Sequence, residues 1–292
     1  MQTDSPPPVD PESADDPHHA DAMRREVILA RVLSERVRVT WALVVSNVVL
    51  FVVAFVYGFR LTDGFGLSAT YYAPVQMVFY TGMKVNSEIA AGEWWRLPAS
   101  MWVHLDILHL VFNVYGLCVL GPILEKFYGA RRFFFLYLAS GIAAAAASYL
   151  FNDMDAGGAS GAIYGLVGTL GVFALKHRQN LPDRVTRAFT TGMLPWVALS
   201  IGIGFLDALP FDNAAHLGGL FAGAGIAALL GSRLHPRTRR IGSIGLWFTT
   251  AVGVAILAAT TWLWAVEAMS CLSSKAAFVQ CYPQIEQHVA PR

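Results

Sequence analysis

Charge is scarce in this chain. Asp, Glu, Lys and Arg make up 14% of 292 residues, and 21 bases nearly cancel 20 acids to a net charge of +1. Soluble domains carry roughly 25% charged residues, so a domain bathed in water on every side fits poorly. The near-zero balance also lacks the basic footprint of a nucleic-acid binder, and no such partner is expected. Cysteine is limited to three residues, Cys118, Cys271 and Cys281. The strand-like alternation of a membrane β-barrel is missing. No short basic leader stands before the first apolar run, so no cleavable signal peptide is expected.

What remains is mostly apolar: 55% of the residues are hydrophobic. Residues 1–22 are the exception, with five prolines, six acids and few large apolar side chains. They read as a solvated tail, followed by a basic juxtamembrane segment at 23–40. A spanning helix needs about 20 apolar residues. Candidates fall at roughly 41–59, 107–124, 132–151, 160–176, 190–206, 215–231 and 244–266. A basic loop at 232–243 and a tail at 267–292 complete the division. Placing the amino terminus in the cytoplasm puts 16 of the 21 Lys and Arg residues on that side, as the positive-inside rule requires. The carboxyl terminus then lies outside. There Cys271 and Cys281 are expected to pair in an oxidising compartment, while Cys118 reads as an inert core residue. Residues 60–106 read as a structured outer loop lying partly in the outer leaflet, because the adjacent Trp94 and Trp95 favour the membrane interface.

Orientation has a chemical corollary. Ser160, in Gly157-Gly158-Ala159-Ser160-Gly161, and His216, in Ala215-His216-Leu217-Gly218-Gly219, each begin a helix running from outside to inside. Both therefore lie just below the outer face. Polar groups at that depth are costly and face a cavity or one another. Neutral imidazole beside a hydroxyl is the minimal pair for activating a serine nucleophile. Gly157, Gly161 and Gly165 around the serine, and Gly219 and Gly223 after the histidine, suit close helix approach. Tyr164, four residues after Ser160, shares its face and can stack on the imidazole. Taken alone, these motifs equally fit glycines that only pack helices, a serine bonded to a carbonyl and a capping histidine.

A second cluster tips the balance. His109 and Asn113 are four residues apart on one helical face, and both are expensive in an apolar helix. With the Ser160 backbone N–H they could surround a developing oxyanion, where each donor contributes about 2.7–4 kcal/mol. A metal held by His104, His109 and His216 is the rival reading. No carboxylate or thiolate completes that set, and a five-residue histidine spacing is not the helical zinc motif. No metal or other cofactor is expected. Asp153, Asp155, Asp207 and Asp212 read as solvated loop residues, which leaves a dyad rather than a triad.

These features resemble the rhomboid family of intramembrane serine proteases. The matching elements are Glu93-Trp94-Trp95-Arg96, His104-x4-His109-x3-Asn113, Gly158-Ala159-Ser160-Gly161 with Tyr164, His216-x2-Gly219-x3-Gly223, and Glu125 twelve residues after Asn113. The resemblance runs over about 41–231. It implies an all-α polytopic membrane protein with a six-helix rhomboid-like core and a seventh carboxyl-terminal helix. It further implies Ser160 as nucleophile, His216 as base, and His109 with Asn113 at the oxyanion. Trp95 and Arg96 would brace the first loop, and Glu125 would brace helix packing. The expected substrates are transmembrane proteins within the lipid bilayer. The lack of an organellar transit sequence points to a bacterial inner membrane, with a eukaryotic secretory membrane as the alternative. Two other classes stay in view. A non-catalytic escort of membrane clients would predict loss of the serine or histidine. A transporter would predict repeated halves with matching broken helices, and no convincing repeat is found.

Overall fold

The computed structural model describes residues 30–64, 82–177, 194–203 and 211–233, together with isolated positions at 27 and between 254 and 280. The expected Cys271–Cys281 bridge, the tail at 1–22 and most of the segment 244–266 lie outside the described residues. Among those described, regular structure is helical, and the sole strand-like feature is one antiparallel bridge between Lys84 and Ala156. In chain order the helices are α1 (Val39–Gly64), α2 (Asn86–Ala90), α3 (Arg96–Ala99), α4 (Ile107–Tyr128), α5 (Ala130–Phe151), α6 (Ser160–His177), α7 (Leu194–Ile203) and α8 (Asn213–Leu229). A 3₁₀ turn at Ser100–Trp102 follows α3.

Among the described residues, three helices are long and apolar enough to cross a membrane: the Val39–Val56 part of α1, α4 and α5. The division of residues on α4 shows what surrounds it. Ile107, Leu108, Val111, Phe112, Tyr115, Val119 and Ile123 are exposed, whereas Leu110, Asn113, Leu117, Leu120, Leu124 and Glu125 are buried. Each set follows the 3.6-residue repeat. An exposed helical stripe of this size is what lipid covers. The chain is an integral membrane protein.

Helix α5 is the hub. Phe133, Leu136 and Tyr137 on it are fully buried, as are Leu124 on α4 and Leu166 on α6. α8 packs chiefly on α6 and α5, and α1 packs on α4. Small residues set the closest approach. A Cβ built on Gly219 of α8 would collide with the Gly161 carbonyl of α6, and one on Gly223 with the Gly165 carbonyl. Gly161 itself turns toward α5, where a Cβ would come 2.5 Å from Ala144 Cβ. The glycines thus fit three helices together, rather than the pair that their spacing alone suggests. Gly157 does not join this packing: its neighbour is the Val103 carbonyl in the loop before α4.

Glu125 has a defined structural task. Its carboxylate, 2% exposed, accepts from the backbone N–H groups of Arg38, Val39 and Thr40 and from Thr40 Oγ1, at 2.8–2.9 Å. The first N–H groups of a helix have no partner within it. Glu125 supplies one from α4 and so fixes where α1 starts against the core.

Candidate active site

Ser160 is the first residue of α6, and the loop before it is shaped to put it there. Gly158 has φ +122°, a backbone conformation that glycine alone adopts readily. Its N–H donates to the Ser100 carbonyl at 2.8 Å. It also faces the His109 ring, where an added Cβ would sit 2.6 Å from Nε2 and 3.7 Å from Asn113 Nδ2. Gly158 is therefore required twice, for its conformation and for the space that His109 occupies.

His216 lies in the first turn of α8. Asp212 caps this helix, accepting from the Ala215 N–H at 3.0 Å, and its second oxygen accepts from Ser148 Oγ on α5. This corrects the reading of Asp212 as a solvated loop residue: it is built into the junction of α8 with α5. It does not hydrogen-bond the imidazole. His216 Nε2 stands 3.1 Å from Ser160 Oγ, while Nδ1 is buried without a hydrogen-bond partner among the described residues. The Tyr164 ring lies flat on the imidazole, 4.2 Å between centroids at 11°. The Phe211 ring is tilted against the imidazole at 6.3 Å between centroids. Ring contacts, not a carboxylate, hold this imidazole.

The α4 cluster sits next to the serine loop. Asp106 caps α4 by accepting from the His109 backbone N–H at 2.8 Å. With its backbone N–H committed, His109 has its ring left to act on another group. Asn113 Nδ2 donates to the His109 carbonyl at 2.8 Å, which spends one amide hydrogen and orients the side chain. His104 is fully buried, and its ring meets that of His109 edge-on at 5.3 Å. Burial, with the neighbouring His109, pushes the His104 pKa down to about 3, so it is neutral at ordinary pH.

The first loop is tied to the same place. Arg96 is fully buried: its Nε donates to Glu93, its Nη1 donates to the Met83 carbonyl at 3.2 Å, and its guanidinium lies over the Trp95 ring at 5.0 Å. Trp94 remains exposed, edge-on to Tyr149 at 5.9 Å. Lys84 was legible in the sequence only as one of the outer-side cations. The structure buries it to 1% exposure against the loop that leads to Ser160. Burial lowers its pKa, and Asp212, Asp155 and Asp153 pull it back up. A lone cation in a long loop carries no pattern that would have revealed this contact.

The structure thus brings together Ser160, His216, Tyr164, Gly158, His109, Asn113 and His104. Glu125 stands apart at the start of α1, and Gly219 and Gly223 lie along the α6–α8 contact. Together they define a polytopic helical membrane protein with a hydroxyl–imidazole pair near one end of its core. Comparison with known proteins agrees. The Rhomboid domain model matches residues 91–233. Rhomboid protease GluP of Bacillus subtilis is 41% identical over 150 residues, covering 51% of this chain and 29% of GluP. Putative rhomboid protease YdcA of the same organism is 32% identical over 140 residues, covering 47% of this chain and 68% of YdcA. Rhomboid protease AarA of Providencia stuartii is 31% identical over 165 residues, covering 49% of this chain and 58% of AarA. The protein belongs to the rhomboid family. The chain spans less than a third of the length of GluP and 58% of AarA.

Proposed function

We propose that the protein is an intramembrane serine endopeptidase that hydrolyses peptide bonds in or near transmembrane segments of other membrane proteins. The observation that carries this reading is the 3.1 Å contact between Ser160 Oγ and His216 Nε2. In the proposed acylation step Ser160 Oγ attacks the substrate carbonyl carbon while His216 Nε2 accepts the hydroxyl proton. Negative charge then appears on the substrate oxygen. The Ser160 backbone N–H, unpaired within its helix because it opens α6, the second amide hydrogen of Asn113 and the His109 ring N–H are the donors assigned to it. The C–N bond breaks as His216 returns its proton to the leaving amine. Water then attacks the acyl-serine, giving a proton to His216, and the released Ser160 Oγ takes that proton back.

The remaining residues serve this dyad. Tyr164 holds the imidazole, and Gly158 and His104 shape the pocket around His109. Gly161, Gly219 and Gly223 set the helix spacing, Trp95 and Arg96 brace the first loop, and Glu125 anchors α1. A substrate helix must unwind locally, because its amides are already hydrogen-bonded in the membrane. The charge bias supports a cytoplasmic amino terminus and an active site opening to the outer face. The six-plus-one helix count belongs to this same proposal.

The full chain, purified in detergent, tests the reading with a fluorophosphonate probe. Labelling that maps to Ser160 and disappears in Ser160→Ala and His216→Ala is expected. A folded parent that resists the probe, or retained cleavage of a transmembrane substrate by Ser160→Ala, would overturn it.

A further inference from the structure

Lys84 is the most unusual charged residue outside the dyad. Its side chain is 1% exposed, and burying a cation is costly unless acceptors surround it. The acceptors are backbone. Nζ donates to the Asn152 carbonyl at 2.6 Å and to the Met154 carbonyl at 2.9 Å. The Lys84 main chain adds a two-way bridge to Ala156, with N–H to carbonyl at 2.9 Å and the reverse at 3.0 Å. One residue therefore grips positions 152, 154 and 156 in succession. Two residues later Gly158 donates to the Ser100 carbonyl, and two later again stands Ser160.

The site of attachment suits a cation. Asn152 follows the last residue of α5, whose unsatisfied carbonyls carry the negative end of the helix dipole. Asn86 reinforces the same point, donating from Nδ2 to the Asn152 carbonyl at 3.2 Å. Lys84 is itself held from behind, since Arg96 Nη1 donates to the carbonyl of the adjacent Met83. A continuous chain of contacts thus runs from Arg96 through Met83 and Lys84 to residues 152–156 and on to Ser160.

We infer that Lys84 is a positioning residue: its ammonium holds the 152–156 segment in the register that sets Ser160 Oγ against His216 and the oxyanion donors. The inference rests on the proposed protease activity. It explains why the described part of the first loop, which supplies no group to the dyad, buries the cations Lys84 and Arg96. Errors of about 1 Å in a reacting group can cost on the order of a hundredfold in rate, so losing this clamp acts on the chemical step. A purely architectural lysine would instead change only how many molecules are correctly folded.

The test compares the parent with Lys84→Met, purified as full chain in detergent. Active sites are counted by saturating fluorophosphonate labelling, and kcat and KM for a transmembrane substrate are expressed per labelled site. The expected result is a fall in kcat per site of about tenfold or more with KM changed less than about threefold. Parent-like kcat per site, with fewer sites, would overturn the inference and leave Lys84 architectural. If Lys84→Met yields no labelled sites, Lys84→Gln, which keeps two donors without the charge, is read by the same two criteria. Failure of the parent to label would instead strike the protease assignment, so the two failures are distinguishable.

Discussion

The Tyr164 ring lies parallel to the His216 imidazole at 4.2 Å and 11°. These residues come from different helices, α6 and α8, and the tyrosine sits one turn below Ser160 on the serine's own helix. Stacking therefore ties the orientation of the proposed base to the element that carries the proposed nucleophile. Nδ1 of His216 is unpartnered among the described residues, so in the proposed dyad this contact would take the place of a triad's orienting carboxylate. Tyr164→Phe, which keeps the ring, is expected to retain most of the activity. Tyr164→Leu is expected to lower kcat by about tenfold to a hundredfold. Equal kcat in the two variants, measured per fluorophosphonate-labelled site, would show that the stack does not orient the base.

Asn113 is expected to act on the transition state. One amide hydrogen is committed to the His109 carbonyl, leaving the other for charge that appears only during reaction. Removing one oxyanion donor costs about 10²–10³ in kcat. Asn113→Ala should show a loss of that order with KM little changed, read from steady-state cleavage. An unchanged kcat with a raised KM would mean that the residue binds ground-state substrate instead.

Gly161 and Gly219 predict different packing failures. Gly219 rests on the Gly161 carbonyl, so a side chain there meets rigid backbone. Gly161 faces Ala144 Cβ at 2.5 Å from where its own Cβ would be, a contact between side chains. Overpacking costs about 1–3 kcal/mol and more where nothing can yield. Gly219→Ala should lower the unfolding temperature in detergent more than Gly161→Ala, and both should reduce activity. The opposite order would show that α5, not the α6–α8 contact, limits the fold.

Glu125→Ala leaves three backbone N–H groups at the start of α1 without their acceptor. The buried Thr40 N–H alone, left as an orphan, costs about 1–3 kcal/mol. Glu125→Gln keeps one acceptor oxygen and should fall between parent and alanine variant in thermal unfolding. Both variants should retain a parent-like kcat per labelled site, since Glu125 touches no reacting group. A stability equal to the parent in Glu125→Ala would remove its anchoring role.

Much of this protein was legible in its sequence. Scarcity of charge and long apolar runs fix a membrane location because the bilayer admits few alternatives to apolar helices. Helix starts at Ile107 and Ser160 fell within a residue of expectation, since Asp106 caps the one and Gly157 and Gly158 break the chain before the other. The pairing of Ser160 with His216 was readable because charge bias gives helix direction, and direction gives depth. Other features were decided only by tertiary structure. Asp212 looked like a loop acid, yet it caps α8 and bonds Ser148. Gly161 belonged by its spacing to the α6–α8 contact, yet its missing side chain makes room for Ala144 of α5. Lys84 had no motif at all, because its partners are main-chain carbonyls 68 and 70 residues away. Every residue carries a carbonyl, so an acceptor of that kind leaves no mark in sequence. Only the folded path of the chain brings it to the ammonium.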